Sequence, residues 1–404
     1  MIHAMRATTT CARRSAAVLP LLLGLGLTTM GTAQTQWSVG PGGYAQIRDV
    51  MDLVGPGDTV VVAPGTYHPF RCVDGITLRA ATPGTVTVAF SLLSLPPSCG
   101  CTCLSFQGPA EFAVPAGQTA HVVGVSFAGY YSMTPCLSAL EQRLVVSSGR
   151  VTFDTCTIDR LIVQNAAAHL QDCTLVSAYL GPGLLANGAD VTVLGGSIAG
   201  NQAGSFSTVS ASPGLLSINS RVHASGVVIT GGAASATLAG APGIQANGGS
   251  LWLSDATVTA GGGCAVNAGG TVRIDRSTLN GSGTGCAVSP TGAPLLGIDR
   301  AGPIVTGQVF QVTVASEPGA LVLVYGSTRL GAPLLPPVVE QPVWIDPTTL
   351  FLADVALAAA SGQTTFAYPV PGVAALVGAQ FWLQGVGGTS FPLQTSPTVG
   401  GIVR

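Results

Sequence analysis

The chain contains no lysine, so its 15 basic residues are all arginine, and only 8% of its 404 residues are charged. A polypeptide this poor in positive charge lacks the clustered cations that nucleic acid phosphates demand. It also lacks the basic face of a helix that lies on a membrane surface. Long apolar runs are scarce too. The N-terminal one, from Ala16 to Leu27, covers 12 residues, whereas a bilayer span takes about 20. No membrane span and no nucleic acid partner are therefore expected.

The short apolar run has another reading. Arg6, Arg13 and Arg14 precede it, and Gly31-Thr32-Ala33 offers small residues at cleavage positions. Residues 1–33 read as a secretory signal peptide. Cys11 lies before the apolar core, so it is not a lipid-attachment cysteine. Cleavage would remove three arginines and leave 12 against 17 acidic residues, a net charge of 12 − 17 = −5. The expected location is secreted or cell-surface.

What is plentiful is glycine, with 55 residues, and proline, with 27, beside a hydrophobic fraction of 47%. Disordered chains are poor in apolar residues, so this composition describes a folded, β-rich protein. Its length fits two domains. Ten cysteines, nine of them beyond residue 33, imply disulfides in an exported chain before they imply metal or redox chemistry. Bridges from Cys99, Cys101 and Cys103 to Cys72 and Cys136 are expected, although five cysteines cannot all pair among themselves and their connectivity is not readable.

Between Leu144 and Leu279 a pattern recurs: an apolar pair, an Asn/Gly-rich turn, an apolar-x-apolar triplet, then an aliphatic residue five positions later. The triplets are centred on Thr152, His169, Thr192, His223, Trp252 and Arg273. The closing residues Ile158, Leu175, Ile198, Ile229, Val258 and Leu279 are spaced by 17, 23, 31, 29 and 21 residues. A repeat near 20 residues built from short apolar strands marks a solenoid. Alternation within each triplet turns two residues inward and the middle one outward. Length varies mainly at Val176–Gly183, Ala199–Gly214 and Thr230–Gly243, as expected of surface corners. Asn187-Gly188 and Asn247-Gly248 suit another corner, where positive φ is accepted.

Upstream, Tyr44 to Leu53 carries apolar residues at helical spacing, and Gly57-Asp58-Thr59-Val60-Val61-Val62-Ala63-Pro64-Gly65-Thr66-Tyr67 follows. This segment resembles the opening of right-handed parallel β-helix proteins of the pectate-lyase-like superfamily. The resemblance extends through the repeats to about residue 290. It implies a short helix capping the first coil and a right-handed parallel β-helix over residues 34–290. It does not imply an activity, because that superfamily mixes lyases, hydrolases and proteins with no known reaction. Residues 291–404 lose the repeat and read as a C-terminal β-sandwich, with strands at Val309–Ala315, Ala320–Tyr325, Thr364–Val370 and Gln380–Gln384. The run from Pro342 to Gly385 resembles a C-terminal module of secreted bacterial proteins.

Lyases of that superfamily need clustered carboxylates for Ca²⁺, and hydrolases need a carboxylate pair at fixed separation. In the repeats, the carboxylates Asp154, Asp159, Asp172, Asp190, Asp255 and Asp275 are thinly spread, and Asp255 aligns with Arg276 as a surface ion pair. His68 and His121 read as isolated. No catalytic residues, metal site or cofactor are expected. Stacking at about 4.8 Å makes His223, Trp252 and Arg273 neighbours on one outer face, with Asp255 and Asp275 nearby, a candidate sugar-stacking platform. The competing structural reading buries Trp252 beneath the Thr230–Gly243 loop or the C-terminal module. Register also places Cys156 beside Cys173, and Cys264 one coil before Cys286, within the roughly 4.4–6.8 Å Cα window of a disulfide.

These features lead to an expectation of a secreted or surface-displayed protein with a structural, adhesive or glycan-contacting role. Its expected partner is an extracellular polysaccharide or a cell-envelope component. The alternative is a polysaccharide lyase or glycoside hydrolase working from the His223–Trp252–Arg273 face.

Overall fold

The computed structural model describes residues 34–89, 109–129, 131–132, 140–141, 143–177, 181–203, 210–236, 238–281 and 294–404. Thr35–Arg404 form one compact unit. Up to Asn280 almost every strand pair is parallel, and the neighbours in each sheet come from successive repeats of the chain. One sheet has sixteen strands and runs from Gln36–Val39 to Thr271–Asp275; a second has nine, from Gly65–Tyr67 to Thr278–Asn280.

Alternation sets the core. In Arg150–Asp154, Val151 and Phe153 turn inward, and both are fully buried together with Ile158, Leu170, Leu175, Ile229 and Val258. Phe70, Phe112, Phe127 and Phe153 form an aromatic cluster inside, with ring centroids 5.7–6.5 Å apart. All six triplets pair in the register read from sequence: Thr152 with His169, then Thr192, His223, Trp252 and Arg273.

Corners recur with the strands. Thr155, Asp172, Gly195, Gly226, Asp255 and Arg276 all adopt positive φ, between 44° and 64°. Four of them are not glycine, a conformation that costs free energy for an L-residue. Each of the first five donates its N–H to a carbonyl of the following repeat, such as Asp172 to Leu194 at 2.8 Å and Asp255 to Asp275 at 3.2 Å. The ladder of backbone bonds offsets the strain. Gly188 and Gly248, at φ 58° and 81°, turn the other corner as expected.

The helix at the N-terminal end is shorter than its periodicity suggested, spanning Arg48–Met51, with Ile47, Val50, Met51 and Val54 buried. Asp58 fixes the first strands. Its carboxylate accepts the Thr35 N–H at 2.8 Å, the Gly55 N–H at 3.0 Å and the Trp37 Nε1–H at 2.9 Å. Burial opposes its ionisation, but these three donors outweigh it and hold the carboxyl below its ordinary range. Asp58→Ala should lower the free energy of unfolding by about 2 kcal/mol, because hydrogen bonds to a charged acceptor are lost together. Chemical denaturation checks this, and a change below about 0.5 kcal/mol would show that the tie is not needed.

Beyond residue 294 pairing becomes antiparallel. Gly297–Arg300, Val309–Ala315 and Gln363–Pro369 form one sheet; Phe351–Leu357, Leu321–Ser327, Gln380–Gly388 and Gln394–Ile402 form another. Their alternating residues, including Val312, Val322, Val324, Phe366 and Leu383, make a second core. All four strands read from sequence here start within a residue of observed ones, and the last extends on to Gly388. Among the described residues no helix is long and apolar enough to cross a membrane.

Candidate functional site

The outward column of the sixteen-stranded sheet was the candidate ligand face. It is covered. Trp252 is only 5% exposed, and His169, Thr192 and His223 are buried. The cover is the antiparallel module. Trp382 stacks on His121, with ring centroids 6.1 Å apart, and meets His169 edge-on at 5.4 Å. Thr398 Oγ1 lies 3.3 Å from His169 Nδ1. Gln171 Nε2 donates to the Gly400 carbonyl at 2.9 Å, and Arg150 Nη1 to the Leu330 carbonyl at 2.7 Å. The column thus forms an internal seam; of the two readings of Trp252, the buried one describes it and the exposed sugar platform does not.

Ion pairs hold the seam. Arg300 of the module donates to Asp154 at 2.8 Å and Asp172 at 2.9 Å, and Arg404 reaches Asp154 at 3.0 Å. Arg273 pairs with Glu340, whose other donor is Gln394 Nε2 at 2.8 Å. Asp255 is held by Arg276 at 2.9 and 3.0 Å, the ion pair that alignment suggested. Asp275 also pairs with Arg276 and accepts the Leu295 N–H at 3.0 Å. Burial raises the Asp275 pKa, and the Arg276 charge and that N–H only partly oppose the rise. The five candidate residues therefore lie in neighbouring repeats, and the charged groups of Arg273, Asp255 and Asp275 are engaged in ion pairs within the chain.

His121 also belongs to this column. It pairs in register with Thr152, and its Nδ1 lies 2.7 Å from Thr152 Oγ1. The signal was present in the sequence: Ala120-His121-Val122 is an apolar-x-apolar triplet with Phe127 five residues on. The three histidines share one electrostatic fate. Burial pushes the pKa of each down to about 3, helped at His121 by the Arg150 charge. At His169 burial also leads; the hydrogen bond with Gln171 works against it, while Arg300 and His121 reinforce it.

The expected Cys156–Cys173 bridge is not formed. Both are free and buried, in neighbouring repeats as read. In-register stacking keeps their Cβ vectors parallel at about 4.8 Å, wider than the roughly 3.8 Å of a disulfide. Both thiols also donate to backbone carbonyls, Cys156 to those of Val122 and Asp154 and Cys173 to those of Phe153 and Gln171, at 3.4–3.5 Å. Cys72 is likewise a free thiol, pushed up to about 12 chiefly by burial, so its expected bridge is corrected too. Cys264 is disulfide-bonded, but Cys286 lies outside the described residues, as do Cys99, Cys101, Cys103 and Cys136. Among the described residues no group of three or more His, Cys, Asp or Glu is placed to hold a metal ion.

The nine-stranded sheet presents a different surface. Its in-register outward positions are Thr66, Thr87, Ser126, Thr157, Thr174, Ser197, Val228, Thr257 and Thr278. Eight of the nine carry a hydroxyl, none is charged and none is buried. The second outward column adds Ala199, Thr230, Thr259 and Asn280. No family model, curated protein or solved structure matches this chain.

Proposed function

We propose that this chain is an exported, non-catalytic protein built as a right-handed parallel β-helix of the pectate-lyase-like kind. In this reading a C-terminal β-sandwich braces one side, and the nine-stranded face makes the working contact. The handedness rests on the strong rule that crossovers between parallel strands of one sheet are right-handed. The partner is a neutral extracellular polysaccharide or a neutral component of the cell envelope.

The observation that carries this reading is the uncharged hydroxyl column. Nine strands at about 4.8 Å give a flat, rigid strip roughly 40 Å long. Each threonine offers a hydroxyl that donates and accepts, beside a methyl group that packs on sugar C–H surfaces. Single contacts of this kind are weak, but a rigid array loses little conformational entropy when it meets an extended chain. The lyase or hydrolase alternative is less favoured because Asp255 and Asp275, its candidate carboxylates, are both held by Arg276.

The double variant Thr174→Arg/Thr257→Arg should leave stability within about 1 kcal/mol, since both side chains point to solvent. Its binding to insoluble cellulose, chitin or xylan, measured by depletion from solution, should fall at least tenfold. Equal retention of variant and parent, or no retention of the parent on any of the three, would overturn the reading.

A further inference from the structure

We propose that the antiparallel C-terminal module is an acid-released cover over the sixteen-stranded sheet: protonation of His121, His169 and His223 opens the seam while both parts stay folded. This does not depend on what the nine-stranded face binds.

The seam is built for separation more than for fusion. Each part has its own apolar core, and Leu194 and Ala167 are the buried residues of the repeats that join the module's apolar clusters. Beside these and the indoles of Trp252 and Trp382, the contact is made by polar side chains that water can satisfy once apart. Interfaces of this kind within a chain resemble transient ones between proteins.

The histidines occupy alternate places in the column, with Thr152 and Thr192 between them. Adjacent ones are therefore roughly 10 Å apart, twice the strand spacing. Nε2 of His169 and of His223 and Oγ1 of Thr192 are buried with no hydrogen-bond partner among the described residues. A proton added at either Nε2 would create a buried cation with no acceptor facing it. The charged neighbours give no relief. His121 faces the Arg150 cation, itself near Asp346. His169 faces Arg300, whose partners Asp154 and Asp172 are already matched by it and by Arg404. His223 lies two residues from Arg221, which holds Asp190, and beyond Trp252 stands Arg273, paired with Glu340. Each carboxylate near the column already has an arginine.

The sign follows. Closure holds these imidazoles below their ordinary pKa of about 6.5, so it is fully favourable above that pH and weakens as pH falls toward 3. One proton taken up per histidine lowers the closed-to-open ratio tenfold per pH unit, and three lower it up to about 10³-fold.

The test uses the full mature chain between pH 7.5 and 4.5. Small-angle scattering follows opening and far-ultraviolet circular dichroism follows folding. The expected result is a rise in radius of gyration with an unchanged β signal, and a slope of the logarithm of the ratio against pH of between two and three. The triple variant His121→Gln/His169→Gln/His223→Gln should remain closed throughout. If it does not fold, the single variants decide, each being expected to reduce the slope by about one. A chain that stays compact to pH 4.5, loses its β signal as it expands, or opens with the same slope in the variants overturns the proposal.

Discussion

Replacing Arg300 by alanine should lower the free energy of unfolding by about 3 kcal/mol. The guanidinium is 3% exposed and carries the densest set of contacts across the seam. Its Nη2 serves Asp154 at 2.8 Å and Asp172 at 2.9 Å, and its Nη1 serves the Gly400 carbonyl at 2.9 Å. A buried ion pair adds little net stability when intact, but removing one partner leaves the other charge desolvated, which costs roughly 3–5 kcal/mol. Two facts place this case at the lower end. Asp172 is nearly half exposed, so water screens its share, and Asp154 keeps Arg404. Arg300→Lys should not restore the loss, since one ammonium cannot reproduce the planar fork that reaches two carboxylates and a carbonyl. Urea denaturation of the three proteins measures the effect. A loss below about 1 kcal/mol for the alanine variant would mean that the latch contributes nothing the rest of the seam does not supply.

The two sides of the seam were not equally legible in the sequence. Strand register was readable because a period of two within each triplet and a fixed five-residue step to the closing aliphatic leave one stacking consistent with a buried core. Hence Thr152, His169, Thr192, His223, Trp252 and Arg273 fall in one column as expected. Asp255 could be paired with Arg276 from the same alignment. His121 was missed although its triplet obeys the rule, because residues 90–108 and 130–142 interrupt the sequence repeat on either side of it. Register alone misled at Cys156 and Cys173: it places two residues side by side, but proximity of two thiols is not a bond between them.

Nothing periodic announced the cover. Gln171 meets Gly400 across 229 residues, and Arg300 meets Asp172 across 128. Neither end of these contacts has a local signature, because a polar residue on a strand's outer face reads the same whether water or a second domain lies over it. The triplet pattern alone therefore leaves both readings of the outward positions open, surface and covered. What distinguished them in hindsight was composition: one outer column carries His, Trp and Arg, whereas the other carries Thr and Ser almost throughout. Bulky, hydrogen-bonding side chains suit a packed polar seam, and β-branched hydroxyl side chains suit an exposed strand.

Trp252→Ala should cost about 3–5 kcal/mol, the range for deleting a buried aromatic side chain. The indole is 5% exposed and lies between His223 and Arg273 in register, 6.2 Å from the His223 ring. Truncation opens a cavity in a seam whose walls cannot close over it: Arg273 is held by Glu340, and the strands on either side are fixed by backbone pairing. The polysaccharide retention proposed for the nine-stranded face should be unchanged at temperatures where the variant is folded, because that sheet does not include Trp252. An exposed stacking platform demands the reverse, loss of retention with stability almost intact. Denaturation midpoints and depletion measurements on the same preparation separate the two outcomes, and an alanine variant within about 1 kcal/mol of the parent would show that Trp252 is not a packing residue.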